Sequence, residues 1–449
     1  MTESAYLTSV RAQYEDLPYP LRNPEDERKR LLSPLSACLD RITHWGFGGK
    51  RDLRDGCRVL IAGGGTGDGL IFFAEQLRGY DAEIVYVDIS KASLDIAQKR
   101  AAVRKLDNIR FIHDSLLNIP KLGLGEFDYI DCSGVLHHLA SPDVGMKALA
   151  DVLKDDGIVC LMLYGLYGRT AVYQMQSLAR IITNPNDSRE KKLELTRKTI
   201  ASLPADHWLN KSRQNAKNVA VTDDNEIYDL FLHSQDRAYT VPDIYDLVEG
   251  AGLQLVHLFA SHEPQGNFLY DPRAYARDPE LLKRLLTLDV RKQQAAAELM
   301  NGQILKHNFY ARRTPVKKPL PQDDQWLPFC WMMYTEDTAY KGLSDAVAKV
   351  EVGKEVVFRE DDSKGVVSFI KNPLSQAVVD VLDGKNTIRD ILKRVQAKHP
   401  SASRNQIGDA FVSIYSALHL HNWMLLRDPK IKPFLSATEL QKRFLAMHP

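Results

Sequence analysis

Short apolar runs alternate with stretches of helical periodicity through the first two-thirds of the chain. The runs CRVLIA (57–62), EIVYVD (83–88), NIRFIH (108–113), FDYIDC (127–132) and GIVCLML (157–163) are each rich in Val, Ile, Leu or aromatic residues. Apolar runs of this length, separated by amphipathic stretches, predict parallel strands with helices on both faces. Helix boundaries agree: Ser90 stands as an N-cap before KASLDIAQKRAAV, and Ser141 with Pro142 opens PDVGMKALADVL, which should stop at Gly157. Leu31 to Trp45 reads as a further helix. The stretch from Tyr167 to Asp236 reads as polar periodic helices inserted over one sheet edge, and LQLVHLFA and HNFYARR read as two more strands.

The pattern therefore predicts an α/β fold with a doubly wound, mostly parallel sheet, helical insertions and a small α+β C-terminal domain. Residues 1–50 form a helical cap and 51–313 the main domain, with its insertion at about 167–236. TPVKKPLPQDDQWLP carries four prolines and few apolar residues, which marks 314–344 as a linker. Residues 345–449 read as strand, three helices and strand, a winged-helix-like order. The longest of those helices has no Lys or Arg between Gln406 and Asn422, which favours packing or docking over nucleic-acid reading.

Charge narrows the partners further. Lys and Arg number 59 against 58 Asp and Glu, so no overall field recommends a nucleic acid or an anionic membrane. The five cysteines are scattered and form no CxxC pair, and the His and Cys residues show no metal-ligand spacing. The opening stretch lacks a basic region followed by an apolar core, and no later stretch approaches the ~18 apolar residues of a membrane span. A cytoplasmic protein with reduced thiols is expected.

Candidate chemistry concentrates in VLIAGGGTGDG, which follows a strand and enters a helix. Gly63, Gly65 and Gly67 give GxGxG, but the third glycine of the dinucleotide fingerprint is replaced by Asp68 or Leu70 in either register. Asp88 ends the next strand, where a carboxylate can accept both hydroxyls of a ribose, and Asp114 ends the third. Three candidate contacts thus lie on successive strand ends, at the edge where open α/β sheets bind ligands.

VLIAGGGTG, VDIS, HDSLLNIP and FDYIDCSGVLHHL together resemble the motifs of class I S-adenosylmethionine-dependent methyltransferases, in that family's order over residues 57–163. YEDLPYPLRNPEDE, SGVLHHLASP, YGLYGRTAVYQMQ and LHSQDRAYTVPD resemble a bacterial subgroup that includes protein lysine methyltransferases and methyltransferases fused to tetratricopeptide repeats. The resemblance implies S-adenosylmethionine as cofactor. Gly63, Gly65 and Gly67 would face its methionine and ribose, Asp88 and Ile89 the ribose, and Asp114, Ser115 and Leu116 the adenine. Val135, Leu136 and His137 would line the floor near the sulfonium. One departure stands out: the family's acidic residue in VLDxGxGxG is Ile61 here, leaving backbone groups or a residue such as Tyr14 to meet the cofactor's amino group.

Methyl transfer from a sulfonium needs alignment and exclusion of water rather than a covalent nucleophile. Candidates around the acceptor are Tyr14 to Tyr19, His137, His138, Tyr164, Tyr167, His233, Arg237 and Tyr239, with His137, Tyr164, His233 and Tyr239 as the catalytic set. The acceptor is a protein side chain such as lysine or a small molecule at N or O, a catalytically silent cofactor-binding scaffold is the third reading, and a homodimer is compatible with all three.

Overall fold

The computed structural model describes residue 11 and residues 14–215, 224–233, 236–259, 267–330, 336–359 and 366–447. Residues 1–10 of the opening stretch, Ser234 and Gln235 of LHSQDRAYT, Ala260 of LQLVHLFA and Gly365 lie outside the described residues.

β1 (Cys57–Ala62), β2 (Ala82–Asp88), β3 (Ile109–His113), β4 (Phe127–Ser133) and β5 (Leu153–Gly165) pair in parallel in the order β3-β2-β1-β4-β5. β6 (Ala238–Tyr239) adds a short parallel pairing to β5. β8 (Lys306–Arg312) runs antiparallel between β5 and β7 (Gln254–Phe259). The sheet is mostly parallel and Rossmann-like, as its apolar runs imply. Chain order reverses between β1 and β4, so the crossover connections diverge there and leave a crevice at the carboxyl ends of the strands. Both faces are buried: Leu60, Val85, Ile130 and Leu161 belong to one apolar layer, and Val59, Ile84, Tyr129 and Cys160 to the other. No described helix is long and apolar enough to cross a membrane.

Several elements differ from the sequence pattern. Leu31 to Trp45 is broken into a 3-10 turn (Leu35–Ala37), one α turn (Leu39–Arg41) and a π turn (Ile42–Gly46). Pro34 is extended at ψ 139° and has no amide hydrogen to donate, so a continuous helix cannot pass through it. The helix opened by Pro142 ends at Ala150, and Ser141 makes no side-chain cap bond. β5 then starts at Leu153, ahead of Gly157, with Asp155 and Asp156 exposed at its start. A Cβ at Gly157 would lie 2.8 Å from the Phe127 carbonyl, beside a register shift against β4, so this glycine sits at a close approach within a strand.

The insertion folds as helices Thr170–Ile182, Arg189–Ser202 and Trp208–Asn215 with a turn at Asp224–Ile227 leading into Tyr228–Leu232. Met175, Leu193, Leu209 and Phe231 form its own small core. The expected linker 314–344 contains β9 (Leu327–Cys330) and enters the helix Glu336–Ala348. β10 (Glu355–Arg359) and β11 (Val366–Ile370) form an antiparallel hairpin ahead of helices Ser375–Val379, Ile388–Lys398 and Arg404–Leu420. β12 (Met424–Arg427) returns to pair with β9. Phe329 and Leu425 complete the apolar layer under the main sheet, and Trp45 Nε1 donates to Asn422 Oδ1 at 3.1 Å, so this unit shares a core with the rest.

Behind the glycine turn lies a buried ion network. Glu27 accepts from Arg100 Nε at 2.7 Å and Arg104 Nε at 2.5 Å, and all three side chains are almost wholly enclosed. Removing one partner of such a group strands the others' charge. Glu27→Ala is expected to destabilise the protein by about 3–5 kcal/mol. Denaturant unfolding checks this, and an unchanged midpoint would contradict it.

Candidate active site

After β1 the chain turns through Gly63, Gly64 and Gly65 into the helix Asp68–Gln76. Gly63, Gly65 and Gly67 have φ of +72°, +53° and +97°. The first two also need to be bare: a Cβ would lie 2.6 Å from Val135 Cγ2 at Gly63 and 2.8 Å from the Tyr19 carbonyl at Gly65. The Gly65 amide donates to Asp88 Oδ2 and the Ser90 amide to Oδ1, each at 2.8 Å. The Tyr86 hydroxyl donates to the Gly65 carbonyl. Burial raises the Asp88 pKa, while the Ser90 and Gly65 amides pull it back.

These residues open onto a cavity of about 1390 Å³. Tyr14, Gly63, Gly65, Asp88, Ile89, Ser115, Leu116 and Val135 line it, so the structure brings most of the expected cofactor residues together. Gly67 and Asp114 are not in the lining. A Cβ at Gly67 would lie 3.1 Å from that of Ala97, so this glycine lets two helices approach. Asp114 Oδ1 accepts from the Ser115 amide and Asn118 Nδ2, both at 2.7 Å, and closes a turn. Turn-making and ligand-facing glycines look alike in sequence.

The N-terminal segment lies across this crevice. Ser90 Oγ donates to the Tyr14 carbonyl at 2.9 Å, and the Glu15 carboxylate accepts the Lys91 and Ala92 amides at 2.7 and 2.9 Å, capping the helix Lys91–Arg104. Thr66 Oγ1 donates to the Pro20 carbonyl at 2.6 Å, and Arg22 makes a forked contact with Asp68. Tyr14 and Tyr19 thereby become walls of the cavity.

The cavity is also lined by His138, Tyr164, Asp229, Lys306 and Asn308. Asp229 is 5% exposed and accepts from the Tyr164 hydroxyl at 3.4 Å. Burial moves its pKa up to about 6, against the opposing pull of Arg169 and Lys306. Burial and the nearby Arg169 guanidinium in turn lower the Lys306 pKa. Burial first, then Asp229, Tyr164 and Asp88, raise the Tyr14 pKa well above its ordinary value, which keeps the phenol protonated.

The sequence-derived catalytic residues divide. Tyr164 lines the cavity, with the Arg169 guanidinium 3.5 Å from its ring centroid. His137 is fully buried and stacks on Tyr164 at 3.9 Å; its ring nitrogens have no hydrogen-bond partner among the described residues. Burial, then neighbouring His138 and Arg169, drive its pKa well down and keep it neutral. Leu136 is buried as well. His138, not His137, faces the cavity, and His233 stacks on it from behind at 4.0 Å. Tyr239 is buried in β6 away from the cavity lining, with Arg237 over its ring at 4.9 Å. Tyr167 is not in the lining either.

One ligand atom each of His138, Asp229 and His233 lie within 4.8 Å of one another, a grouping able to hold a metal ion. Asp229 sits in the field of Arg169 and Lys306, which oppose the upward shift from burial without cancelling it, and its Oδ1 has no hydrogen-bond partner among the described residues. The sequence reading missed Asp229 and Lys306. Asp229 lies in the apolar stretch IYDLFLH of the insertion, where an acid breaking an apolar run was the available signal.

Residues 60–159 match a family model described as a methyltransferase domain. Over 326 residues the chain is 31% identical to an uncharacterised protein of Synechococcus, covering 70% of this chain and 73% of that one. The structure of PKMT2 from Rickettsia typhi superposes with a TM-score of 0.63 at 15% identity, covering 92% of this chain and 81% of that one. The same protein in complex with AdoHcy gives 0.61, also at 15% identity, over 88% and 76%. Fold, site and these likenesses place the chain in the class I S-adenosylmethionine-dependent methyltransferases, and within them in the family of the Synechococcus protein. Its cofactor is S-adenosylmethionine.

The close contact at Gly63 makes a direct test. Gly63→Ala is expected to destabilise by about 1–3 kcal/mol through overpacking against Val135. Adding Val135→Ala should recover part of that loss, and thermal unfolding of both variants decides the point.

Proposed function

We propose that the methyl acceptor is the side-chain amine of a protein lysine. The observation that carries this reading is Asp229, a buried carboxylate with a pKa of about 6 in the lining of the same cavity as the glycine turn. The donor set fits the cofactor. Asp88 keeps free lone pairs beyond its two amide bonds, and the glycine cradle is one that a Cβ would fill. The cavity also exceeds the ~300–1000 Å³ usual for a small-molecule site, which leaves room for an acceptor side chain. Gly63, Gly65, Asp88 and Ile89 would hold its ribose and methionine portions, Ser115 and Leu116 its adenine, and Val135 its floor. Bound there, S-adenosylmethionine supplies an electrophilic methyl group on sulfur.

An unperturbed lysine of pKa about 10.4 is neutral in only about one molecule in a few thousand at pH 7. Two features of the chain raise that fraction, and a third takes up the proton. The walls of Tyr14, Tyr19 and Tyr164 remove water, which disfavours the ammonium form. Arg169 and Lys306 add positive charge nearby and push in the same direction. Asp229 would take the amine's proton as nitrogen bonds to the methyl carbon and the carbon–sulfur bond breaks, the neutral thioether being the leaving group. Tyr164, gripped by Arg169, orients Asp229 through its hydroxyl. His138 stands as a second polar wall backed by His233.

The fold likeness to PKMT2 of Rickettsia typhi supports a protein acceptor. So does the second unit, whose Lys385 and Arg427 reach the same cavity; we take residues 345–449 with β9 as the surface that docks the acceptor protein. All five cysteines are free, which supports a reducing cytoplasmic setting.

Incubating the protein with methyl-labelled S-adenosylmethionine and a cell lysate tests the proposal. Label on lysine of a discrete protein band is expected; label only in small molecules, or nowhere, overturns it. Because the Asp229 pKa is raised, its base form is lost as pH falls through about 6. kcat/KM should therefore decline below that pH, and Asp229→Asn should remove this limb and lower kcat about 10²–10⁴-fold.

A further inference from the structure

We infer that Asp131 holds the α-ammonium group of the cofactor, taking over from the carboxylate that Ile61 replaces at the end of β1. Ile61 and Asp131 are Cα partners in the parallel pairing of β1 with β4. Partners in a sheet project to the same face about 4.7–4.9 Å apart, so the acid has moved one strand sideways without changing face or depth.

Asp131 is 4% exposed yet belongs to the lining of the cofactor cavity. Its Oδ1 accepts from Ser133 Oγ at 2.6 Å, while Oδ2 has no hydrogen-bond partner among the described residues. A Cβ built on Gly69 would lie 3.7 Å from Oδ2, so this enclosed, unpartnered oxygen faces the first turn of the helix that follows the glycines.

The groups that act on its charge are neutral: the hydroxyls of Ser133 and Ser36 and the Ser133 amide. Ser36 lies close without meeting hydrogen-bond geometry on Oδ2. The other carboxylates in the cavity lining each have a cation or donors acting on them. Asp68 is paired with Arg22 and Arg100, Asp40 lies 3.6 Å from Arg427, Asp88 accepts two amides, Glu439 accepts from Ser436, and Asp229, whose Oδ1 also has no hydrogen-bond partner among the described residues, lies in the field of Arg169 and Lys306. A buried carboxylate lacking a cation is costly unless a ligand supplies one. The free amine of an α-amino acid, protonated at neutral pH, is such a ligand group. The inference rests on the cofactor's identity and not on which acceptor is methylated.

Calorimetry on the full chain tests it with two ligands, S-adenosylhomocysteine and 5′-methylthioadenosine, which lacks the amino-acid end. The Asp131→Asn variant is expected to bind the first about 10- to 100-fold more weakly, the range for a hydrogen bond to a charged group. Its affinity for the second should be unchanged. Adding Ile61→Asp in the Asp131→Asn background should restore most of the loss. Equal weakening for both ligands, or no weakening for the first, overturns the assignment. Should Asp131→Asn not fold, the wild-type chain still decides. S-adenosylhomocysteine without its α-amino group should bind 10- to 100-fold more weakly than the parent, and equal affinity overturns the assignment.

Discussion

A single buried carboxylate ties two connections of the sheet together. Asp88 stands at the end of β2, beside the end of β1, and accepts one amide from the glycine turn and one from the start of the following helix. Each of those loops leads into a different helix, so their relative placement is not determined by either alone. With the Gly65 amide bound to Asp88 and its carbonyl bound to Tyr86, the turn is gripped through its backbone. The bare α-carbons of Gly63 and Gly65 are in turn packed against Val135 and the Tyr19 carbonyl, so the chain itself sets the shape of the turn.

Two further layers rest on this one. The N-terminal segment is fastened to the same helix starts by Glu15, Thr66 and Ser90, so its two tyrosines become cavity walls. Below the turn, Arg100 donates to the Thr66 carbonyl at 2.8 Å and to Asp68 at 2.7 Å while holding Glu27. The turn is thus braced from above by backbone and from below by guanidinium. The helical insertion brings Asp229 into the same cavity lining, so a polar helical excursion and the sheet's strand ends both furnish its carboxylates.

The parts of the fold legible in the sequence were those set by local pattern. β1 to β5 announce themselves as apolar runs, and Ser90 as a cap whose hydroxyl accepts the Ser93 amide. β9 was hidden because Pro328 lies within it and three more prolines precede it; such a strand can exist only with one paired neighbour, as it does against β12. The early start of β5 was hidden by Asp155 and Asp156, which are polar because that end reaches solvent. Of the residues marked by spacing, Gly63, Gly65 and Asp88 line the cavity and Gly67 does not. Whether His137 or its neighbour faces the cavity depends on how a three-residue turn is wound, and the weight of Asp131 appears only when strand order sets it beside Ile61.

The helix Ala437–Met447 has a part in this that its distance in sequence conceals. Gln441 accepts from Arg104 Nη2 at 2.6 Å, and its amide nitrogen lies 3.2 Å from the Arg28 carbonyl. It therefore touches both the arginine that grips Glu27 and the turn that carries Glu27. The segment leading into this helix, Pro433 to Glu439, also lines the cavity, so the second unit both walls the site and braces the ion network beneath the glycine turn.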